Sequence, residues 1–348
     1  MIAVDDAGLI TSIEPTTAIT PDLTVVPGFV DVQVNGIGDI DVASARGADW
    51  SRITDLLLDQ GVTSWCPTLV TDALDRYAAP LERIAEARRR EGSRIIGAHL
   101  EGPFLGGAPG AHQRALLAPI DLDWLAALPD IVRLVTIAPE LPLAVEAIRL
   151  LVANGIVVAL GHSTPSLDAV DAAVVAGATL VTHLFNAMSG VHHRQPGLAA
   201  AALVEDRLAV GLIADLVHVH PLALQLAFRC KPSARTVLVT DAVASRSGRL
   251  GEFAIQVRDG APRLADGTLA GSIVTMDQAI RNVVRRCGIT LEQAVRSASM
   301  NPARLLGCKD RGAIAVGQRA DLVGLDDALR VGAVWLGGVQ VRQRGADH

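Results

Sequence analysis

The sequence predicts an α/β fold, a (β/α)8 TIM-type barrel accompanied by a small β-sandwich domain built from the two chain ends. Three observations carry this. β-Branched apolar runs alternate with helix-like segments along most of the chain, RIIGAHLE, IVVALGHS, ATLVTHLF and RTVLVTDA being the clearest. Each of these runs exits into a short polar cluster, respectively His99-Leu100-Glu101-Gly102-Pro103, Gly161-His162-Ser163, Thr182-His183-Leu184-Phe185-Asn186-Ala187-Met188 and Val239-Thr240-Asp241-Ala242. Polar residues at the exits of successive buried strands belong to the active face of such a barrel. Finally, the 348 residues exceed the ~250 of a bare α/β barrel, and the surplus at both ends reads as short strands and turns.

Taken in order, residues 1–26 (MIAVDDAGLITSIEP, then TVVPG) should pair with residues 312–348 (GAIAVGQRADLVGLD, then RVGAVWLGGVQVR) as the small β domain. Residues 27–311 are left for the barrel. Its eight strands are expected at 29–34, 63–69, 94–99, 132–138, 156–161, 179–184, 208–214 and 236–240. Helical patterns such as ALDRYAAPLERIAEARRR and LPLAVEAIRLLVANG fill the gaps, with Gly155 as a helix stop. Residues 245–270 read as a hairpin excursion (EFAIQVRDGAPRLADGTL) turning at Asp259-Gly260. Two helices follow, TMDQAIRNVVRRCG and TLEQAVRSASMNPARLLG.

Composition narrows the function. Aromatics are 3% of the chain, so Ala, Val, Leu and Ile must fill the core. A net charge of −6 argues against nucleic acid or an anionic membrane as the main partner. The most basic run, Arg88-Arg89-Arg90, reads as helix-end cations that complement the dipole. Cys66, Cys230, Cys287 and Cys308 are widely spaced with no CxxC, which reads as reduced, mostly buried thiols in a cytoplasmic protein. The acidic N-terminus does not read as a signal peptide. No apolar run reaches the ~18 residues that span a membrane.

Glu101, His162 and His183 follow strands 3, 5 and 6, so a closed barrel aims all three at one mouth. Two imidazoles and a carboxylate can hold Zn²⁺ and leave positions open for water. A lone His at a strand end is more often structural; three ligand types at three strand ends are harder to dismiss. Asp241 ends strand 8 in the same frame. It is either a rim cap or a proton carrier between water and a leaving nitrogen. His112 lies in the Gly/Pro-rich loop GGAPGAH, and His218 follows strand 7 in ADLVHVH. His220 precedes Pro221 and should begin a helix, which favours His218 as the functional residue. His192 and His193 read as solvated. Asn186, Ala187 and Arg194, in the loop before a Pro-Gly helix start, offer a weak anion-recognition signal.

With these motifs in hand, the chain resembles the amidohydrolase superfamily, and within it the N-acetylglucosamine-6-phosphate deacetylases. The resemblance runs from Pro27 to Asp321. It is carried by Pro27-Gly28-Phe29-Val30-Asp31, HLEGPF at 99–104, GHS at 161–163, THLFNAM at 182–188, IADxxHV at 213–219, VTDA at 239–242, LAGS at 269–272 and G-x-I-x-x-G-x-x-A-D-L at 312–322. It implies a metal-dependent hydrolase of a linear amide, with N-acetylglucosamine 6-phosphate as substrate. Glu101, His162 and His183 match the metal ligands, for one divalent ion per chain, expected to be Zn²⁺. Asp241 matches the acid/base, and His112 the histidine that polarises the acetyl carbonyl. Ala111, His112, Asn186, Ala187, His218, Leu269, Ala270 and Gly271 match substrate contacts. Arg194 matches an arginine that reaches a neighbouring subunit's phosphate, which implies a homodimer.

Two departures stand out. Where many amidohydrolases carry His-x-His for a second metal, this chain has Gln33-Val34-Asn35, and neutral amides are poor ligands beside imidazole. The usual Asp-Gly-x-His becomes Asp215-Leu216-Val217-His218, which removes a glycine with easy access to positive φ. The competing functions are another amidohydrolase activity on N-acyl amino compounds and a non-catalytic scaffold on the same barrel. The first usually needs a bridging modified lysine or His-x-His; the second normally loses the Asp or His residues, which are present here.

Overall fold

A computed structural model of the chain describes residues 1–15, 23–251 and 253–343. Its centre is a single sheet of eight parallel strands: β1 (Phe29–Val34), β2 (Val62–Val70), β3 (Ala98–Glu101), β4 (Val132–Ile137), β5 (Val157–Leu160), β6 (Leu180–Val181), β7 (Ala209–Ile213) and β8 (Thr236–Val239). They neighbour one another in chain order. β8 returns to β1 through a parallel bridge between Val34 and Ala242, where the Asn35 N–H donates to the Ala242 carbonyl at 2.8 Å. The buried Asp31 carboxylate seals this seam from inside, accepting from the Thr240 hydroxyl at 2.5 Å and the Thr240 N–H at 3.3 Å.

Nearly all strand residues are buried because helices cover the barrel and side chains fill it, and β4 to β8 are mainly Val, Leu and Ile. Helix Met276–Cys287 shows how the sequence does this. The Thr275 hydroxyl caps its start by accepting from the Gln278 N–H, Gly288 at φ +67° ends it, and Met276, Ala279, Ile280, Val283 and Cys287 form its buried stripe.

Three elements differ from the sequence expectation. β3 begins four residues late, because Ile95 makes only an isolated bridge to Trp65; the shift makes Glu101 the strand's last residue. β6 stops at Val181, because His183 turns to φ +23°. The last predicted helix is two, Leu291–Ala298 and Met300–Leu305, broken at Ser299. Pro302 explains the break: it has no N–H for the Ala298 carbonyl, and its ring would clash there. The thiols also depart in part, since Cys66 and Cys287 are buried but Cys230 is exposed and Cys308 half-buried; all four are free.

The chain ends form an antiparallel sheet in the order Val339–Gln343, Val331–Leu336, Leu322–Leu325, Thr24–Pro27. The hairpin of Ile2–Val4 and Ile10–Ile13 attaches to it through a Leu9–Arg319 bridge. Residues 16–22 and 344–348 of the expected small domain lie outside the described residues. The excursion after β8 contains the hairpin Gln256–Arg258/Ala261–Arg263, whose Asp259 and Gly260 both take positive φ (50° and 78°), as a two-residue turn of this kind requires. Among the described residues no helix is long and apolar enough to cross a membrane.

Candidate active site

Glu101, at the end of β3, His162, two residues past β5, and His183, two past β6, meet at one mouth of the barrel. Glu101 Oε1 lies 3.3 Å from His162 Nε2 and 3.0 Å from His183 Nε2, and the two Nε2 atoms are 2.9 Å apart. His162 Nδ1 donates to the Pro109 carbonyl at 3.0 Å, which leaves its Nε2 lone pair facing the cluster. Three basic atoms so close, in a nest that is almost fully buried, could together hold a metal ion. The donor set of two imidazoles and a carboxylate fits a zinc-like ion. Burial pushes the Glu101 carboxyl up, but the two imidazoles overcome it and hold it well below the usual range. Burial drives His162 down, whereas Glu101 lifts His183 above its ordinary value despite burial.

Asp241 sits beside this nest, two residues after β8. Asn35 Nδ2 donates to its Oδ1 at 2.7 Å, and Gln33 Nε2 bridges the same oxygen (3.1 Å) and Glu101 Oε1 (2.9 Å). The Glu101 and Asp241 carboxylate oxygens only accept, so they require the N–H end of the Gln33 amide on their side, and the Thr182 hydroxyl donates to Gln33 Oε1 at 3.0 Å. The residues in place of His-x-His therefore present N–H groups where a second cation would need lone pairs. Burial first, then the Glu101 charge, pushes the Asp241 carboxyl up to about 7. His162, His183 and Asp241 all have positive φ (51°, 23° and 49°), a costly conformation for residues other than glycine. Gly161 lets the strands approach beside His162, since a Cβ there would lie 2.2 Å from Thr182 Cγ2.

His112 stands over the cluster, its Nε2 4.0 Å from Glu101 Oε2. Thr71, just after β2, offers its N–H (3.4 Å) and its hydroxyl (2.7 Å) to His112 Nδ1. With Nδ1 accepting, the ring proton is on Nε2. Burial, reinforced by His162, lowers His112 to about 3, so it is a neutral donor at pH 7.

These groups line a cavity of about 400 Å³ together with Ala111, Asn186, Ala187, His218, Leu269 and Gly271. Asn186 spends its amide N–H groups on the His183 and Leu184 carbonyls, which leaves Oδ1 available. His218 Nδ1 is held by Asp215 Oδ2 at 2.7 Å. Leu216 reaches φ +67° without the glycine, so the loop keeps its shape. His220, by contrast, caps helix Pro221–Cys230 and is exposed. Two expected contacts fall outside the cavity lining. Ala270 is fully buried with Val243, Leu250 and Ile255, and its N–H goes to the Pro262 carbonyl. Arg194 is exposed on a loop and absent from the lining of its own chain's cavity, as are His192 and His193, whose rings touch at a tilt of 41°.

The sequence reading missed Thr71, Glu140 and Arg263. Glu140 follows β4 and ties three loops together, accepting from the Gly107 N–H (3.0 Å), the Thr164 N–H (2.9 Å) and the Ser163 hydroxyl. Its place at a strand exit was the available signal.

With this geometry in hand, residues 24–341 match the amidohydrolase family. The chain belongs to the amidohydrolase family. Among its members, the N-acetylglucosamine-6-phosphate deacetylase of Bos taurus is 42% identical over 344 residues, covering 92% of this chain and 83% of that protein. An N-acetylgalactosamine-6-phosphate deacetylase of Escherichia coli O157:H7 is 36% identical, covering 95% and 92%. Of solved amidohydrolase structures, N-acetylglucosamine-6-phosphate deacetylase from Thermotoga maritima superposes with a TM-score of 0.93 at 31% identity, covering 99% of this chain and 95% of that one. A mutant of the Mycobacterium smegmatis enzyme, in complex with N-acetyl-D-glucosamine-6-phosphate, gives 0.89 at 36%, covering 96% and 93%.

Proposed function

We propose that this amidohydrolase removes the acetyl group of N-acetyl-D-glucosamine 6-phosphate, releasing acetate and D-glucosamine 6-phosphate. The observation that carries the reading is the convergence of Glu101, His162 and His183 beside Asp241 and His112 in one cavity. The similarity to deacetylases over nearly the whole chain supports the substrate.

Glu101, His162 and His183 would hold one divalent ion, which we take to be Zn²⁺. When bound it supplies Lewis acidity, acidifying a water and polarising the acetyl carbonyl. In our reading Asp241 accepts the proton of the attacking water and passes it to the sugar nitrogen as the C–N bond breaks. His112 Nε2–H donates to the acetyl oxygen as it gains charge; one such preorganised donor is worth about 2.7–4 kcal/mol. Asn186, Ala187 and Leu269 to Gly271 shape the sugar site, Ala270 as backbone support. Gln33 and Asn35 hold Asp241 toward the cavity, and their amide protons favour one ion per chain.

The exposed Arg194 fits a role on a neighbouring subunit's phosphate, and we infer a homodimer on that basis. We also assign residues 1–26 and 312–348 to a small domain distinct from the barrel, residues 27–311. Four free thiols fit a cytoplasmic location.

The test combines metal analysis with acetate release from N-acetylglucosamine 6-phosphate and its 4-epimer, since relatives named for both sugars align along this chain. Metal-dependent acetate release supports the reading. Bound metal without acetate from either sugar phosphate would point to another N-acyl substrate, and neither metal nor turnover to a scaffold.

A further inference from the structure

The cavity is lined by Glu101, Asp241 and the imidazoles on one hand and by residues of the excursion after β8 on the other. The excursion contributes Arg263, Gly267 and Thr268. Arg263 closes the strand Ala261–Arg263, and an antiparallel bridge to Leu269 folds the following loop back beside it. Its Nη1 donates to the Gly267 carbonyl at 2.9 Å, which pins the guanidinium to its own loop. Its Nε is buried without an acceptor. Among the described residues no carboxylate pairs with Arg263, and it is the one lysine or arginine that lines the cavity. A half-buried guanidinium with an unmet donor and no counter-ion is an anion site in waiting, because buried donors are otherwise nearly always matched.

Its neighbourhood agrees. The turn of this hairpin packs by the loop of His218: a Cβ on Gly260 would lie 4.0 Å from Val217 Cγ2. Asp215 holds His218 Nδ1, so the other ring nitrogen is free for the cavity that both residues line. One chain therefore brings a guanidinium and an imidazole to the lining of one cavity, on two loops that approach each other. We propose that Arg263 binds the 6-phosphate of the substrate from within its own subunit. The inference rests on the sugar-phosphate reading given above and adds a specificity residue to it. The guanidinium and His218 share the phosphate charge, and the excursion acts as the phosphate wall of the site.

The test uses the metal-loaded full-length protein and Arg263→Ala, Arg263→Lys and wild type. Wild type is first assayed on N-acetylglucosamine 6-phosphate; no acetate would sink the underlying function. Given wild-type turnover, the preference for the phosphorylated over the unphosphorylated sugar, as a ratio of kcat/KM, should fall by roughly 10- to 150-fold in Arg263→Ala, the range for a charge-assisted contact. The loss should appear mainly in KM. Arg263→Lys should fall in between, because an ammonium keeps the charge but not the planar fork. Inorganic phosphate, used as a competitive inhibitor, should weaken in parallel. A structural role alone would lower turnover of both sugars together and leave the ratio intact. A ratio and a phosphate inhibition constant within about twofold of wild type, in both variants, overturn the proposal.

Discussion

Replacing Leu216 asks whether the loop that carries His218 is built under strain. Leu216 holds φ +67° one residue after Asp215, which grips both the backbone N–H and the ring of His218. A left-handed backbone costs an L-residue about 1–2 kcal/mol. Leu216 also packs partly against the core, so truncation loses apolar contact as well. Comparing Leu216→Gly with Leu216→Ala removes most of that second loss, because both variants lack the isobutyl group. In an ordinary helix or strand, glycine is about 0.5–1 kcal/mol worse than alanine. Here relief of strain should reverse the order and leave glycine ahead by up to about 1.5 kcal/mol. At about 2–4 °C per kcal/mol for proteins of 150–250 residues, and less for a longer chain, the difference is a few degrees in melting midpoint. Thermal unfolding of both metal-loaded variants at equal concentration measures it. If Leu216→Ala melts as high as Leu216→Gly, the strain argument fails. The substrate KM of Leu216→Gly should stay near wild type, since glycine reaches the same φ.

Asp241→Asn should retain its metal by elemental analysis yet lose at least ~10²-fold in kcat, and near-normal turnover would move the proton carrier elsewhere. Protein purified without added metal should contain one tight equivalent per chain; two would mean that Gln33, Asn35 or another residue ligates after all. Mixing Arg194→Ala with Asp241→Asn should restore part of the activity if the guanidinium serves the partner's site, and proven subunit exchange without recovery would refute sharing. Burial pushes the Asp31 carboxyl up to about 7 from an ordinary 3.8, so the folded chain keeps a proton that the unfolded chain releases. Its contribution to stability is full at low pH and is lost as pH rises from about 4 to about 7. Urea midpoints should therefore fall less across that range in Asp31→Asn than in wild type, and an equal fall would show that Asp31 is not the group responsible.

The barrel was legible because strand exits announce themselves: a Val/Ile/Leu run followed by Glu101, His162, His183 or Asp241 is a pattern of period and position. The meeting of Glu101, His162 and His183 beside Asp241 followed from the same frame. What the sequence did not reveal depends on three-dimensional closure. Nothing in the string shows that His162, His183 and Asp241 adopt positive φ, since only their neighbours enforce it. Thr71 meets His112 only because β2 lies beside the loop of His112, and Arg263 reaches the cavity only through the fold of the hairpin. The broken helix at Ser299 was readable in principle, since Pro302 forbids a continuous turn there. Arg194 illustrates the opposite limit: its own chain gives it no place in the cavity lining, and the role proposed for it depends on another molecule.

The seam between β8 and β1 gives the site an order of assembly. All three residues of the cation nest lie between positions 101 and 183, Glu101 at the end of β3 and the two histidines just past β5 and β6, strands of a block that pairs continuously from β3 to β6. Asp241 comes later, and its contacts to Gln33 and Asn35 join the last barrel strand to the first. During synthesis, when N-terminal parts of a chain emerge first, the nest can form on a partly built sheet while the proton carrier is still missing. Hydrolytic competence then arrives with the final long-range closure. With the roles proposed above, a ribosome-bound or truncated chain ending before β8 would carry the cation nest without its acid/base, and the strand that shuts the barrel would also complete the reaction's machinery.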